Sequence, residues 1–398
     1  MRTAIIGGGA AGFFAAISLK EFMPSMEVTI FERSRRILSK VEISGGGRCN
    51  CTNTFEGVTD LVEVYPRGHR LLKRLFNVFG PADAYRWFES HGVPLTVQED
   101  HCVFPSSQDS HSIVECLSGT ARRLGVTVRT GECIDDISQL DGYDFVIVST
   151  GGSPRGQGLQ WLKAMGHEIA NPVPSLFSLS VADLRLHSLM GTACEHSTIH
   201  IEGTKLRSTG PLLITHWGLS GPAILRLSSY GARHLNASSY KSVLIVNWTG
   251  KTEEETRELL TSMQKASPHK QLSNLPPATV PRRLWQYVLE KCVGEKKNMR
   301  WHEIGKKDIN RIVNTLVSDR IETSGRAPFH DEYVTCGGIS LSDVDSRTLE
   351  SKVRSGMYFA GEVLDIDGVT GGFNFQAAWT TAYVAAFSIA SRAKTGGI

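Results

Sequence analysis

Three glycines near the start of the chain have the spacing of a dinucleotide-binding loop. A short apolar run ends at Gly7, and Gly9 and Gly12 follow as a helical pattern over residues 10–22 begins. Gly7 permits a tight turn, Gly9 leaves room for a pyrophosphate, and Gly12 lets the helix pack closely on the strand. The unpaired N–H groups at the start of that helix favour a phosphate.

An acidic residue completes this unit. A second apolar run over residues 28–31 ends at Glu32, roughly 20 residues after the last glycine. A carboxylate there can accept hydrogen bonds from ribose hydroxyls, whereas its charge would repel a 2′-phosphate. Glycine triplets also occur in ordinary loops, but the combination of strand, glycines, helix, strand and acid predicts a bound adenine dinucleotide rather than a purely structural turn.

A second motif near the other end of the sequence indicates which dinucleotide is bound. A short apolar run closes with Gly361 and Glu362, and Gly371 and Gly372 precede a helical run that begins at Asn374. Next to an N-terminal Rossmann unit, this motif resembles the second flavin signature of the glutathione-reductase-like flavoproteins. The resemblance implies that Glu362 contacts the ribityl chain and that the helix N-terminus faces the isoalloxazine ring. FAD is therefore favoured over NAD as the tightly bound cofactor.

Residues 44–53 contain the candidate chemical groups. The three consecutive glycines can lay backbone N–H groups against a phosphate or the flavin edge, and Arg48 can stabilise a reduced, anionic flavin. Cys49, next to Arg48, is predicted to be an accessible thiol of lowered pKa that protonates the carbon beside a hydride acceptor. The alternative is that Cys49 packs beneath the flavin as a small apolar side chain. Asn50 and Asn53 can bond flavin or substrate, or simply form turns.

His216 is the second catalytic candidate. It lies between an apolar run and a Gly-Leu-Ser-Gly-Pro turn, and its imidazole can orient a substrate carbonyl or transfer a proton. A structural role is the alternative. Two basic stretches are candidate RNA contacts, although such runs are usually solvated faces. They comprise Tyr65, Arg67, His69, Arg70, Lys73 and Arg74, and then Lys291, Lys296, Lys297 and Arg300.

Composition agrees with an intracellular enzyme but does not by itself identify one. The chain has 398 residues, of which 41% are apolar, enough for two or three domains. No stretch approaches the roughly 20 apolar residues of a membrane helix, so we expect a soluble, cytoplasmic protein that does not bind membranes. Eight cysteines in a chain of this length do not suggest a disulfide framework, and their spacing predicts no metal site. A net charge of +3 does not by itself indicate nucleic-acid binding.

The fold class is predicted to be α/β. The motifs at the two ends must meet on one cofactor, so the foreign segments between them are insertions. We expect a Rossmann-like FAD-binding domain of the two-dinucleotide-binding type at residues 1–175 and 335–398. An inserted β-barrel-like domain is predicted at 176–250 and 321–334, and a small helical domain at 251–320. The underlying patterns are β-type runs at 143–148, 177–181, 198–201, 211–215, 242–248 and 334–341, and helical spacing at 252–264, 281–292 and 307–320.

Five motifs in this order resemble, over essentially the full length, one bacterial flavoprotein family. Its members are variously labelled aminoacetone-oxidase-like, bile-acid-pathway-reductase-like and ribosomal RNA dihydrouridine synthase. The resemblance implies FAD binding, a build of three domains and redox chemistry, but no single substrate. Residues 151–158 depart from the pattern because they form a shorter loop than is usual in the family. The motifs lie at residues 44–53, 103–105, 215–222, 335–338 and 361–376.

The predicted activity is NAD(P)H-driven reduction of an activated C=C bond, with uridine in ribosomal RNA as the first candidate substrate. Only one dinucleotide fingerprint is present, so NAD(P)H would dock transiently. The alternatives are an oxidase of a small amine such as aminoacetone, which uses dioxygen, and a non-catalytic flavin-bearing RNA-binding factor. The partner is therefore a small-molecule substrate or ribosomal RNA. The predicted cofactor-binding residues are Gly7, Gly9, Ala10, Ala11, Gly12, Glu32, Arg33, Gly46, Gly47, Arg48, Thr150, Gly151, Gly361, Glu362, Gly371, Gly372, Phe373 and Asn374, and the predicted catalytic residues are Cys49 and His216.

Overall fold

The computed structural model describes residues 1–327 and 334–395. The chain divides into two compact units, of which the first comprises residues 1–173 and 334–398 and the second comprises residues 174–333. The domain ranges predicted from the sequence include residues 328–333 and 396–398, which lie outside the described part of the chain. Each unit is built around its own sheet.

The first unit contains a parallel sheet of five strands in the order β16-β7-β1-β2-β6. Strand β1 is central, since Ile5 pairs with Ile30 of β2 on one side and with Ile147 of β7 on the other. The winding direction reverses at β1, and ligands of such sheets bind at the carboxyl ends of the strands at this point. The predicted α/β, Rossmann-like class is confirmed. The strands are β1 (Arg2–Ile6), β2 (Glu27–Glu32), β6 (Thr127–Thr130), β7 (Phe145–Val148) and β16 (Met357–Phe359).

Two helices from opposite ends of the chain pack together in this unit. The α1 helix covers the predicted residues 10–22, and its Phe14 ring lies 5.2 Å from the Trp379 ring of α13. Most of α13 is buried, as expected of a helix that is apolar on all sides. The helices of this unit are α1 (Ala10–Phe22), α2 (Ser39–Gly47), α3 (His69–Leu75), α4 (Pro81–Ser90), α5 (His111–Arg123), α6 (Gln160–Ala164) and α13 (Phe373–Thr395).

The first unit also contains two small sheets. One is antiparallel with the order β3-β5-β4, and the other is the pair β15-β8. The motif at residues 335–338 lies on β15, where an added Cβ at Gly337 would come within 2.5 Å of the Asn171 carbonyl oxygen on β8. The strands are β3 (Thr52–Asn53), β4 (Leu95–Val97), β5 (Cys102–Pro105), β8 (Ile169–Ser175) and β15 (Val334–Ile339).

The second unit contains a closed six-stranded barrel in the order β10-β11-β12-β9-β14-β13. Buried and exposed residues alternate along parts of β10 and β11, as the two faces of a barrel strand require. The strands are β9 (Leu179–Val181), β10 (Ala193–Ile201), β11 (Arg207–Ile214), β12 (Gly218–Ser220), β13 (Val243–Asn247) and β14 (Asp319–Arg326).

The helices of the second unit share one hydrophobic core with the barrel. Val246 of β13, Trp285 of α11 and Leu316 of α12 belong to the same buried cluster, so residues 251–320 do not form a separate core. The predicted helix over 307–320 ends at Val317, because Asp319 instead pairs with Val246 in the barrel. The helices are α7 (Leu184–His187), α8 (Pro222–Tyr230), α9 (Ala232–Ala237), α10 (Glu253–Ala266), α11 (Arg282–Cys292) and α12 (Lys306–Val317). Across residues 1–327 and 334–395, none of the helices has the length and apolarity needed to cross a bilayer.

Candidate cofactor site

The glycine loop after β1 has different surroundings at its three predicted positions. Gly7 has φ +109°, and a Cβ there would lie 2.4 Å from the Ser149 carbonyl oxygen. A Cβ at Gly12 would lie 2.0 Å from the Gly7 carbonyl oxygen, whereas one at Gly9 would meet no atom of the described residues within 4 Å. Protein packing therefore requires Gly7 and Gly12, while Gly9 borders open space.

Glu32 is held at the end of β2 by backbone groups. Its Oε2 accepts a hydrogen bond from the Gly8 N–H at 2.8 Å, and its Oε1 accepts one from the Ser34 N–H at 2.8 Å. A carboxylate has about four lone-pair sites, so each oxygen retains capacity for a hydroxyl donor. Arg33 follows on an exposed turn. The carboxylate is thus fixed beside the glycine loop, as a ribose ligand would need to be.

The first unit brings the two predicted flavin motifs together. Gly361 has φ +76°, and a Cβ there would lie 2.8 Å from the Ala11 Cβ of helix α1. The Gly361 N–H also donates to Thr381 Oγ1 of α13 at 2.8 Å. Ala10 begins α1. The Gly361–Glu362 turn is therefore packed directly against the helix that begins at the glycine loop.

Glu362 lies in a polar cluster that includes a residue missed by the sequence analysis. Its Oε1 accepts from the Thr335 N–H at 2.7 Å, and its Oε2 forms an ion pair with Lys40 Nζ at 2.8 Å. A Cβ at Gly152 would lie 2.6 Å from Glu362 Oε1, so the loop after β7 approaches the carboxylate closely. Lys40 lies in the first turn of α2, and nothing in its spacing distinguished it from an ordinary surface lysine.

The predicted residues of the loop after β7 are partly open. Thr150 is exposed. Gly151 has φ +74°, and a Cβ there would lie 3.8 Å from Glu362 Oε2. The loop thus brings Gly151 near the same carboxylate despite its reduced length.

The glycines of residues 44–53 interrupt helix α2. Gly45, Gly46 and Gly47 have φ values of +57°, +68° and +83°, and all three are exposed. Added Cβ atoms at Gly46 and Gly47 would meet nothing within 4 Å among the described atoms. The Arg48 guanidinium lies 4.4 Å from the Phe104 ring centre and donates to Gln108 Oε1 at 3.3 Å. This turn therefore offers an open backbone surface, with the arginine directed to Phe104 and Gln108.

The segment after these glycines packs tightly against the start of α13. Asn53 Nδ2 donates to the Gly371 carbonyl oxygen at 3.0 Å. A Cβ at Gly372 would lie only 2.2 Å from the Thr52 carbonyl oxygen, so the residue must be glycine. The main chain of the third motif therefore contacts the main chain of the C-terminal flavin motif.

A buried hydrogen-bond chain, not anticipated from the sequence, reinforces this contact. Thr52 Oγ1 bonds Gln376 Oε1 at 2.5 Å, and Gln376 Nε2 donates to Thr380 Oγ1 at 3.0 Å. Trp379 Nε1 donates to the Cys51 carbonyl oxygen at 2.8 Å. Gln376 and Thr380 are fully buried, so polar residues inside an apolar helix were the available signal for this chain.

The side chain of Asn374 forms hydrogen bonds with the loop that precedes α13. Its Oδ1 accepts from the Gly368 N–H at 2.8 Å, and its Nδ2 donates to the Gly368 carbonyl oxygen at 2.9 Å. The Phe373 carbonyl oxygen accepts from the Tyr65 hydroxyl at 2.7 Å, and the Phe373 side chain is buried. The Asn374 side chain and the Tyr65 hydroxyl thus fix the loop and the first residue of α13, and cofactor contact by the backbone of Gly371 and Gly372 stays a prediction.

Comparison with known proteins identifies the family. Residues 1–388 match the family described as "HI0933-like protein Rossmann domain". The chain is 27% identical to the 3-dehydro-bile acid delta(4,6)-reductase of Clostridium scindens, covering 98% of this chain and 99% of that protein. It is also 27% identical to the ribosomal RNA dihydrouridine synthase of Escherichia coli, with 96% of each chain covered. The Haemophilus influenzae protein of the same name is 28% identical, with 97% of each chain covered.

The chain belongs to the HI0933-like family. It is an FAD-dependent oxidoreductase, and the resemblance inferred from the five motifs is confirmed. The geometry of the first unit fits FAD, because Gly9, Gly46 and Gly47 border space that side chains would fill. Glu32 and Glu362 retain free lone pairs for sugar and ribityl hydroxyls.

The prediction that Cys49 is an accessible thiol of lowered pKa is wrong. Cys49 is fully buried, with φ +57°. Burial raises its pKa to about 12, although a hydrogen bond with Ser44 acts in the opposite direction. The neighbouring Arg48 lies on the Phe104 ring, so its charge does not offset the loss of solvation. At neutral pH Cys49 is a protonated thiol, and its role as a proton donor stays a prediction.

The second catalytic candidate, His216, lies in the second unit. It is exposed on the turn between β11 and β12, and its ring centre lies 4.3 Å from that of Trp217 in an edge-to-face arrangement. The turn is closed by the Thr215 hydroxyl, which donates to the Gly218 carbonyl oxygen at 3.0 Å. Its proposed contact with substrate stays a prediction.

The two basic stretches differ in how far neighbouring carboxylates neutralise their positive charges. In the first, Tyr65 is fully buried and Arg67 forms an ion pair with Asp367, whereas Arg70 and Lys73 are exposed on α3. In the second, carboxylates lie beside all three lysines. These pairs are Lys291 with Asp319 at 2.5 Å, Lys296 with Asp308 at 2.9 Å and Lys297 with Glu290 at 2.5 Å. The α3 stretch therefore keeps more uncompensated charge.

Proposed function

We propose that the chain catalyses NAD(P)H-driven reduction of a C=C bond conjugated to a carbonyl group. The observation that carries this proposal is the pairing of relatives that match nearly end to end. One is named a 3-dehydro-bile acid delta(4,6)-reductase and the other a ribosomal RNA dihydrouridine synthase. The two substrates differ greatly in size, but a 3-oxo-Δ4 steroid and a uracil ring both contain a C=C bond conjugated to a carbonyl.

This reaction assigns separate tasks to the residues of the chain. FAD, when bound, supplies the hydride-transfer chemistry. Glu32, Glu362 and the glycine loop hold the cofactor. One carbon of the double bond receives a hydride that originates from NAD(P)H, and its neighbour receives a proton. Cys49 is the proposed proton donor, and its raised pKa keeps the thiol protonated at neutral pH. His216 is the proposed residue that orients the carbonyl.

The electron donor is proposed to bind transiently. In the described ranges 1–327 and 334–395 there is one parallel five-stranded sheet, and its glycine loop is assigned to FAD. A nicotinamide dinucleotide would therefore have no second Rossmann sheet of its own in this part of the chain. Docking beside the flavin, followed by release before substrate enters, accounts for both half-reactions.

Uridine in ribosomal RNA is the first candidate substrate. It is supported by the two relatives named as ribosomal RNA dihydrouridine synthases and by the exposed Arg70 and Lys73 on α3. A steroid-type enone is the competing substrate of the same reaction class. The choice affects only which molecule presents the double bond, since the hydride and proton balance is identical.

Anaerobic titration of the purified holoprotein tests the reaction class. We expect NADPH or NADH to bleach the visible flavin absorbance rapidly, and air to restore it slowly. Incubation with NAD(P)H and an unmodified ribosomal RNA transcript should then add 2 Da to a uridine, as mass spectrometry of the digested RNA would show. A flavin that NAD(P)H does not bleach, together with rapid peroxide formation from an amine such as aminoacetone, would instead establish an oxidase.

A matched pair of acceptors separates the candidate substrates. A 3-oxo-Δ4 steroid and the RNA transcript are supplied in parallel at equal flavin concentration. Bleaching by NAD(P)H with turnover of the steroid alone would keep the reductase and reject RNA as substrate. Affinity for RNA with no product from either acceptor would indicate the non-catalytic RNA-binding factor.

A further inference from the structure

Lys40 connects the two motifs of the FAD site. The chain returns to the glycine loop just before Lys40, since the Leu38 N–H donates to the Gly8 carbonyl oxygen at 2.9 Å. Two residues later, Lys40 Nζ lies 2.8 Å from Glu362 Oε2. Glu362 follows Gly361, which packs against Ala11. The ammonium group is therefore anchored beside both the first and the second flavin motif.

The contacts of Glu362 leave room for a ligand. The Thr335 N–H engages Oε1 and Lys40 engages Oε2. A carboxylate offers about four acceptor positions and an ammonium offers three donors. Glu362 thus retains acceptor capacity for hydroxyls, and the Lys40 ammonium retains donors after its one bond to Glu362.

The charges around this position favour an anion near Lys40. FAD brings a diphosphate with two negative charges to the N-terminus of α1, where Glu32 and Glu362 already contribute two carboxylates. Arg48, the cation of residues 44–53, is directed to Phe104 and Gln108. Lys40 is 56% exposed while its partner Glu362 is 20% exposed, so the ammonium can reach a ligand that covers the carboxylate.

We propose that Lys40 is a cofactor-binding residue, which fixes Glu362 for the ribityl chain and compensates the charge of the FAD diphosphate. This inference rests on the FAD site and not on the identity of the substrate. It predicts an effect on FAD retention that is separate from any effect on folding, because an exposed ion pair contributes little to stability. Loss of a charge-assisted bond to the ligand has a larger effect.

The test measures FAD release from the purified holoprotein. Released flavin is followed by its fluorescence after dilution, for the wild type, Lys40→Met, Lys40→Arg and Lys394→Met. Lys394 is an exposed lysine near the end of α13 and serves as the matched control. We expect release about ten times faster or more in Lys40→Met, and rates close to wild type in Lys40→Arg and in the control. Added salt should accelerate release from the wild type more than from Lys40→Met.

Thermal melting of the same variants distinguishes binding from folding. If FAD release from Lys40→Met equals that of the wild type, the proposal is overturned, whatever the substrate proves to be. It is also overturned if Lys40→Met melts well below the control after FAD has been removed from both, because Lys40 would then be a structural residue. Lys40→Gln provides a second neutral variant should Lys40→Met fail to fold, and the same release rate decides the result.

Discussion

At the scale of single residues, protein packing requires glycine at position 12 of the glycine loop, whereas at position 9 only the bound ligand would require it. A Cβ at Gly12 would overlap the Gly7 carbonyl oxygen, whereas a Cβ at Gly9 enters open space. We expect Gly12→Ala to lower the free energy of unfolding by about 1–3 kcal/mol or more. Gly9→Ala should change it by no more than about 1 kcal/mol but should weaken FAD binding at least about tenfold. Denaturant unfolding and flavin content of the purified variants measure the two effects.

Gly12→Ala and Gly9→Ala serve as controls for each other, since one is expected to change stability and the other FAD binding. Gly9 has φ −94°, which alanine adopts without strain, so backbone conformation does not explain a loss of FAD. Retention of FAD by Gly9→Ala at the wild-type level would show that the diphosphate does not occupy the space beside this residue.

The cysteines give a second prediction at this scale. Burial raises the pKa of Cys49 to about 12 and that of Cys194 to about 12, whereas Cys133 is exposed. Only the thiolate reacts with iodoacetamide, so at pH 8 we expect Cys133 to be alkylated first and Cys49 to stay protected. Peptide mass spectrometry over time measures this order. Early labelling of Cys49 would mean that its thiol is open to solvent.

At the scale of elements, a histidine ties α4 to α1. His91 Nε2 lies 2.9 Å from Glu21 Oε1 and Nδ1 lies 2.7 Å from the Trp87 carbonyl oxygen, so both nitrogens face acceptors. The hydrogen bond to Glu21 raises the pKa of His91, against a smaller opposing effect of burial. A raised folded-state pKa stabilises the protein below the unfolded value of about 6.5 and loses that contribution as pH rises through the folded value.

The corresponding experiment follows stability with pH. Unfolding free energy should fall by about 0.5 kcal/mol as pH rises from about 6 towards 8, a modest change because the pair is partly solvated. His91→Gln should remove this component of the pH dependence. The matched variant His234→Gln, on α9, should retain it. Identical pH profiles for wild type and His91→Gln would reject the contact as a source of stability.

Helix α3 carries the prediction for RNA. Arg70 and Lys73 are exposed there, whereas Lys296 and Lys297 are paired with carboxylates. Joint substitution of Arg70 and Lys73 by Gln should reduce the slope of log affinity against log salt by about one for each lost phosphate contact. The same substitution of Lys296 and Lys297 should change it little. Filter binding of an rRNA transcript over a salt series measures the slopes, and equal slopes would remove α3 from the RNA contact.

The extent of prediction from sequence also differs between elements. Local patterns were sufficient for α1 and for Glu32 at the end of β2, because glycine spacing and apolar runs act over about 30 residues. They were insufficient for the Lys40–Glu362 ion pair and the Thr52–Gln376 bond, which join residues more than 300 positions apart. For the same reason local patterns could not decide between an accessible and a buried Cys49, which the structure buries fully. Packing by distant segments outweighed the positive charge that adjacent sequence suggested.

At the scale of the whole molecule, two compact units should respond differently to the cofactor. All of the predicted FAD ligands lie in the first unit, in residues 1–173 and from Val334 onward. Ligand bound only to the folded state stabilises by about 2.7 kcal/mol at a free concentration of 100 times Kd. Calorimetry should therefore show two transitions, of which FAD raises only the one assigned to the first unit. A single transition that shifts as a whole would show that the units unfold together.

The discontinuity of the first unit has a consequence for biosynthesis. Its sheet needs β16, and its glycine loop is packed by the Gly361 turn and α13, whereas the second unit is one uninterrupted segment. During translation the barrel unit is available to fold first, while the N-terminal half-sheet waits for residues from Val334 onward. The second unit spans residues 174–333, so at typical elongation rates of about 5–20 residues per second its synthesis delays the first unit by about 8–32 s. Flavin capture is then a late event of synthesis, and nascent chains arrested before Val334 would leave the ribosome channel without cofactor.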